Sequence, residues 1–265
     1  MRTVRPRRDR TALGSAGVTS RARPERPLLL VAATGAELEP LCSALREVRP
    51  RDVPGWPGGV EGSLDGRAVV LARCGVGKAS AAGAVSAYAA DVFPSAVLMT
   101  GIAGAYVGAF VAVGAVVCAA SEFDLDAGLL GSMGMASLAE VPLALVSSDL
   151  TGAEPAYQRF ATDADWTERL AAACGTVPVG FASSDAISAD LDVAAERAAR
   201  SGAAVESMEG AGAALVCVRL GLPFAEVRGV SNVAGVRDKQ AWDVPTAIRA
   251  AGQALRTALR RDRSG

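Results

Sequence analysis

At 265 residues the chain can build one large α/β core or two small ones. Hydrophobic residues make up 51% and aromatics only 5%, so the core must come from Val, Leu, Ala and Ile, which suits helices packed on a parallel sheet. The net charge of −1 gives no global field toward nucleic acid or membrane, and the absence of histidine excludes Ser-His and Cys-His pairs and His-ligated metal.

Residues 1–27, "MRTVRPRRDRTALGSAGVTSRARPERP", are Arg-, Pro- and Ser-rich and read as a disordered tail without the apolar segment of a signal peptide. A nucleic-acid-binding arm is the sharper alternative for so basic a stretch. The remainder, residues 28–265, reads as a single domain. Leu28–Thr34 is an apolar strand, and "GAELEPLCSALREV" follows as an amphipathic helix. "VEGSLDGRAVVLARC" has the Asp-Gly signature of a β-hairpin. "GVGKASAAGAVSAYAAD" is a Gly-rich turn entering an Ala-rich helix.

Ala96–Ala120 carries no charge and is long enough to span a bilayer. Gly101, Gly104, Gly108 and Gly114 interrupt it, and no Lys or Arg flanks it closely. Two buried strands, "AVLMT" and "VGAVVCAA", joined by a Gly-rich turn account for it better. From Ser121 to about Tyr157 the chain reads as irregular. "DADWTERLAAAC" is a helix, "VPVGFAS" a strand, and "ISADLDVAAERAAR" a helix for which Ser188 is a candidate cap. "AAVES", "EGAGAALVCVRLG" and "FAEVRGV" are strand, helix and strand, with Gly221 closing the helix. "DVPTAIRAAGQALRTALRR" is the last helix.

Strands alternate with helices and no linker divides them, which indicates one α/β domain with a largely parallel sheet. Ligands of such sheets bind beyond the carboxyl ends of the strands. Glu37, Gly101–Gly104, Ser183–Asp185, Glu209 and Asn232 all follow expected strands. Cys42, Cys74, Cys118, Cys174 and Cys217 form no CxxC pair and read as reduced residues of a cytoplasmic protein, with no structural metal.

"RCGVGKAS" fails the Walker pattern, because Ala72 and Ala79 stand where Gly and Ser or Thr are needed. "GVGKAS" also lacks the third glycine of a dinucleotide fingerprint, so a tight strand-to-helix turn is the plainer reading. Glu209 at a helix start gains from the helix dipole or serves as a cap; alternatively its two oxygens accept from a cis-diol. Met208 would then form an apolar wall. Asn232 after a strand is often only a turn residue, and Glu37 again sits where a helix dipole favours an acid.

Taken in order, "LLLVAATGAELEPL", "GVGKASAA", "MTGIAGAY", "VAVGAVV" and "VESMEGAGAALVCVRLGLPFAEVRGVSN" resemble the purine nucleoside phosphorylase and nucleosidase superfamily over nearly all of Leu28 to Leu259. "VESMEG", "SNVAG" and "RDKQAWDVPTAI" are most similar to its futalosine hydrolase branch, an activity of menaquinone biosynthesis. The resemblance implies a three-layer phosphorylase/hydrolase-like fold: a central mixed, largely parallel sheet flanked by helices. It implies N-glycosidic hydrolysis of a small-molecule nucleoside with release of hypoxanthine. Glu37 aligns with the acid that activates water, Glu209 with the ribose-binding Glu, and Met208 with its neighbour. Asn232 replaces the Asp of adenine-releasing nucleosidases. An amide donates to O6 of a 6-oxopurine and accepts from a protonated N7, where a carboxylate would repel O6.

Ile102, Ala103, Gly104 and Ser183 complete the expected substrate-binding set. Superfamily phosphorylases hold phosphate with Arg and Ser where this chain has Met99 and Ile102, so water is the expected nucleophile. Futalosine carries a carboxyphenyl ketone, which calls for a cation. Arg237, Lys239 and Arg228 are candidates, as are Trp242 and Phe181 for aromatic packing; solvated charges or structural pairs are the plainer reading of each cation. The resemblance implies no cofactor, no nucleic acid, no membrane, and a homo-oligomer. Ala115 replaces the Asp common after the second glycine segment, and "FDLDAGLLGSMGMASLAEVPLAL" diverges. A methylthioadenosine or adenosylhomocysteine nucleosidase and a non-catalytic nucleoside-binding protein are the competing readings.

Overall fold

The computed structural model describes residues 26–132, 134–141, 143–152 and 154–261. The chain begins with β1 (Leu28–Ala32), α1 (Gly35–Cys42), β2 (Arg46–Pro50), β3 (Val60–Leu64), β4 (Arg67–Arg73) and α2 (Lys78–Val92). Next come β5 (Ala96–Ala105), β6 (Val116–Asp124), the small hairpin β7 (Leu129–Gly131) and β8 (Gly134–Ala136), and the one-turn α3 (Ser148–Thr151). The second half holds β9 (Arg159–Ala161), α4 (Ala164–Cys174), β10 (Val179–Ser183), α5 (Leu191–Ser201) and β11 (Val205–Ser207). It ends with α6 (Gly210–Leu220), β12 (Phe224–Val233) and α7 (Val244–Arg261).

The main sheet has the order β11-β10-β6-β12-β5-β1-β4-β3-β2, with β9 added on β6. β4, β1, β5 and β12 are mutually parallel, and so are β6, β10 and β11. Antiparallel pairing joins the two blocks at β6–β12 and again at β5–β11. That second joint closes β5, β11, β10, β6 and β12 into a ring, which curls one end of the sheet around the future site. The outer β2–β3–β4 meander is antiparallel.

Period-2 alternation divides β1 between two cores. Leu29 and Val31 join Ala81, Val85 and Tyr88 of α2 and Ala213 and Cys217 of α6. Leu28 and Leu30 join Leu38 and Leu41 of α1, Leu170 of α4 and Leu255 and Leu259 of α7. Helices therefore cover both faces, as the three-layer expectation required. The hairpin also holds: β3 and β4 pair around Asp65 and Gly66, both with positive φ.

Several expectations need correction. The helix expected through Val48 ends at Cys42, and Arg46–Pro50 is an edge strand exposed along its whole length. Pro40 removes an internal donor, and the Ala44 and Leu45 N–H groups bond the carbonyls three residues back, which tightens the chain out of the α-helix. The Gly-rich turn expected inside "MTGIAGAY" is instead the second half of β5, so Ile102, Ala103, Gly104 and likewise Asn232 lie within strands. There the backbone groups of β5 find partners on β12 and then on β11.

Ser188 does not cap α5. Asp190 does, accepting from Val193 N at 2.9 Å, while the Ser188 hydroxyl donates to Glu206 Oε2 at 2.6 Å. Of the expected tail, residues 1–25 lie outside the described residues. Arg26 and Pro27 are anchored: Arg26 donates to the Phe93 and Pro94 carbonyls, and the Pro27 carbonyl accepts from Ser95 N. Among the described residues no helix is long and apolar enough to cross a membrane, and the uncharged Ala96–Ala120 stretch holds β5 and the start of β6.

Candidate active site

The ends of β1, β5, β11 and β12 surround a cavity of about 410 Å³. Glu37, Ile102, Ala103, Gly104, Met208, Glu209, Arg228, Asn232, Arg237, Lys239 and Trp242 all line it. Two wider clefts, of about 600 and 940 Å³, run along the outer β2–β3 edge and contain none of these residues. The sheet thus gathers side chains from positions 37 to 242 into one chamber.

Glu37 enters from the first turn of α1 and is 6% exposed. It completes a capping box with Thr34: Oε2 accepts from Thr34 N at 2.9 Å and from Thr34 Oγ1 at 2.8 Å. Oε1 accepts from Ile102 N at 3.1 Å. Three of about four acceptor sites are filled, and one on Oε1 remains for the cavity. Glu37 thus takes the helix-start role and also lines the cavity. Gly101 makes this possible. A Cβ there would lie 2.6 Å from Glu37 Oε1 and 2.5 Å from Arg228 Nη1.

Glu209 is the residue that precedes α6, yet it does not cap that helix. Its Oε1 accepts from Gly77 N at 3.1 Å and its Oε2 from Arg228 Nη2 at 3.2 Å. The "GVGK" turn thus supplies a backbone donor to Glu209. Gly77 holds φ at 97°, where a side chain would be strained. About two acceptor sites of Glu209 stay open, enough for two adjacent hydroxyls. The helix-capping role passes to Ser183, whose Oγ accepts from Ala211 N at 2.9 Å.

Ser183 is fully buried and does not line the cavity; its hydroxyl donates to Glu122 at 2.8 Å. Phe181 is likewise fully buried in a separate core with Val205 and Val230. Met99 faces the α2–α6 core rather than the cavity, so of the pair standing for phosphate ligands only Ile102 reaches the chamber.

Arg228 is the largest departure from a solvated loop charge. It is 1% exposed, donates from Nε to Glu226 at 2.6 Å and from Nη1 to the Ile102 carbonyl at 3.2 Å, and holds Glu209. Burial disfavours its charge, but the carboxylates of Glu226, Glu209 and Glu37 outweigh that and raise its pKa above the ordinary value. The sequence signal was Glu226 and Arg228 at alternate positions of an otherwise apolar strand, which places both on one face where they can pair. Burial, reinforced by the Glu209 charge, pushes the nearby Cys74 thiol up to about 12, so it stays neutral at pH 7.

Asn232 is 7% exposed. Its Oδ1 accepts from Ser231 Oγ at 2.7 Å and its Nδ2 donates to the Val233 carbonyl at 2.9 Å. The carbonyl contact fixes which end of the amide is nitrogen. One acceptor site and one N–H remain free. At the mouth the Arg237 guanidinium stacks on the Trp242 ring, 5.0 Å from its centroid, and Trp242 Nε1 donates to the Val236 carbonyl at 3.0 Å. Lys239 stands exposed beside them.

Sequence reasoning missed Glu206, which also borders the cavity. Its carboxylate is taken up by Ser188 N and Oγ, Tyr106 and Arg197, which pins the segment before α5 to β11.

A model of the phosphorylase superfamily matches residues 27–261. A futalosine hydrolase of Thermus thermophilus is 39% identical over 197 residues, 74% of this chain and 83% of that protein. The chain belongs to the phosphorylase superfamily and, within it, to the futalosine hydrolase family. A second family member, from Acidothermus cellulolyticus, is 30% identical over 225 residues, covering 83% of this chain and 85% of the relative.

Solved structures confirm the fold. A 5′-methylthioadenosine/S-adenosylhomocysteine nucleosidase from Colwellia psychrerythraea in complex with adenine superposes with a TM-score of 0.75 at 22% identity, covering 89% of this chain and 95% of that one. The native futalosine hydrolase of Helicobacter pylori gives 0.74 at 16% identity, over 89% and 98%.

Proposed function

We propose that this chain hydrolyses the N-glycosidic bond of futalosine and releases hypoxanthine, a step of menaquinone biosynthesis. The observation that carries the reading is the convergence of Glu37, Glu209 and Asn232 on one cavity, each with unfilled hydrogen-bonding capacity. The two family relatives named above support the choice of nucleoside.

In this reading the purine edge meets Asn232. The free N–H donates to O6 and the free lone pair of Oδ1 accepts from N7–H, which stabilises the base as the bond to C1′ breaks. The two open acceptor sites of Glu209 take the ribose hydroxyls and fix the sugar, with Met208 against its face. Glu37 accepts a proton from water at the remaining site of Oε1 while that water attacks C1′. One proton of the attacking water goes to Glu37, the bonding electrons go to the purine, whose N7 takes its proton from solvent, and the oxygen stays on the sugar. Arg237, Lys239 and Trp242 at the mouth offer positive charge and a ring to a carboxylated, aromatic 5′ substituent.

The reading includes a cytoplasmic location and a homo-oligomer. Val107, Phe110 and Val113 on the β5–β6 loop are exposed, an apolar patch that supports assembly and that sedimentation of the purified protein would test.

Purine release should be measured from futalosine, inosine and methylthioadenosine, each with and without phosphate. Futalosine should be the best substrate, with a rate indifferent to phosphate. Preference for methylthioadenosine, or a rate that needs phosphate, would refute the assignment. Binding without free purine would return the non-catalytic reading.

A further inference from the structure

Beneath the cavity the chain buries two acids that the reaction scheme leaves unused. Glu226 stands on β12 two residues before Arg228, and alternation puts both on one face of the strand. Its Oε1 accepts from Arg228 Nε. Glu122 on β6 is 0% exposed, as is Glu226, and Glu122 Oε2 accepts from Ser183 Oγ. That leaves Glu122 Oε1 and Glu226 Oε2, both buried and neither with a donor from another described residue. They crowd the same spot: a Cβ on Gly210 would lie 2.5 Å from the first and 2.4 Å from the second. Two bare carboxylate oxygens repel each other in so dry a place. One proton between them converts that repulsion into a charge-assisted hydrogen bond. The surrounding charges agree. The single Arg228 cation already faces Glu226, Glu209 and Glu37, so a fourth anion would have no counterion.

We propose that Glu122 and Glu226 share one proton and, as a hydrogen-bonded pair, position Arg228 and through it the Glu209 carboxylate. The positioning role rests on the nucleosidase reading; the shared proton does not. Burial first, then the Glu226 charge and the hydrogen bond to it, hold the Glu122 carboxyl well above the carboxylate range, against the pull of Ser183 and Arg228. The charged group that faces the pair is Arg228 on β12; Glu209 before α6 and Glu37 on α1 act on Arg228 in turn, with Cys74 after β4 beyond them.

Infrared spectra of the full chain test the proton directly. The wild type at pH 7 should show a protonated-carboxyl stretch that shifts in heavy water and is absent from Glu122→Gln. In that variant a neutral amide replaces a neutral acid, keeping the Ser183 contact and donating to Glu226. Its KM for the nucleoside should therefore stay within about threefold of wild type at pH 7. Glu226→Gln removes the anion from Arg228, and its KM should rise about tenfold or more, with a smaller fall in kcat.

A carboxyl whose folded pKa is raised adds stability that is complete below its unfolded value and fades as pH climbs through the folded one. Melting temperature of the wild type should fall as pH climbs from the unfolded value through the folded one, its KM should rise as the folded carboxyl deprotonates, and Glu122→Gln should flatten both. A wild type without the band, a band that survives in Glu122→Gln, or equal damage from both variants would overturn the proposal. If no purine nucleoside is hydrolysed, the positioning role falls with the functional reading, and the band alone still decides whether the proton is shared.

Discussion

On the cavity floor Glu37, Glu209 and Arg228 are at most 6% exposed, and each makes at least two hydrogen bonds to fixed partners. On the rim Arg237 is exposed and stacks on Trp242, while Lys239, also exposed, has no ion pair among the described residues. The floor is preorganised in low dielectric, where a misplaced charge is costly. The rim is solvated, and its charges are screened by salt. Bond cleavage at the sugar needs geometry fixed before the substrate arrives. Selection among 5′ substituents needs only modest attraction. Floor substitutions should therefore damage catalysis or folding, and rim substitutions should tune affinity.

Glu37→Gln should give the largest effect. The amide oxygen can keep the Thr34 contacts, but the NH2 that replaces Oε1 faces the Ile102 N–H and cannot take a proton from water, so kcat should fall by ~10²–10⁴, more than KM changes. Steady-state purine release separates the two constants. Arg228→Leu comes next, because it strands Glu226 and Glu209 without a counterion. Losing one partner of a buried ion pair costs about 3–5 kcal/mol, which a urea unfolding curve would reveal.

Asn232→Asp should lower kcat/KM for the hypoxanthine nucleoside by about 10–100-fold, since a carboxylate facing O6 exchanges a hydrogen bond for repulsion. Undiminished turnover would remove the argument for a 6-oxopurine. Arg237→Ala and Lys239→Ala should raise KM only about two- to fivefold, as for exposed charges, and the difference from wild type should shrink in high salt. A rim variant as damaging as Glu37→Gln would erase the contrast between the two regions.

The sequence exposed what depends on local periodicity and on ordered motifs. The apolar run of β1, the Asp65–Gly66 turn and the Gly221 helix end were all legible, because each is decided by neighbours in the chain. So was the candidate set of Glu37, Glu209 and Asn232. Partners drawn from other elements were not. Nothing near Glu209 in sequence names Gly77 or says that the acid turns away from its own helix. Ser183 and Ser188 looked like a site residue and a cap, and instead satisfy the buried Glu122 and Glu206. β2 was missed because a wholly exposed edge strand shows no alternation to read.

The most direct test is a crystal structure with an unreactive hypoxanthine nucleoside analogue bound. It should show Glu209 accepting from both ribose hydroxyls and Asn232 on the O6/N7 edge, at about 2.7–3.2 Å, with a water between Glu37 and C1′. A ribose out of reach of Glu209, or a purine facing away from Asn232, would contradict the account.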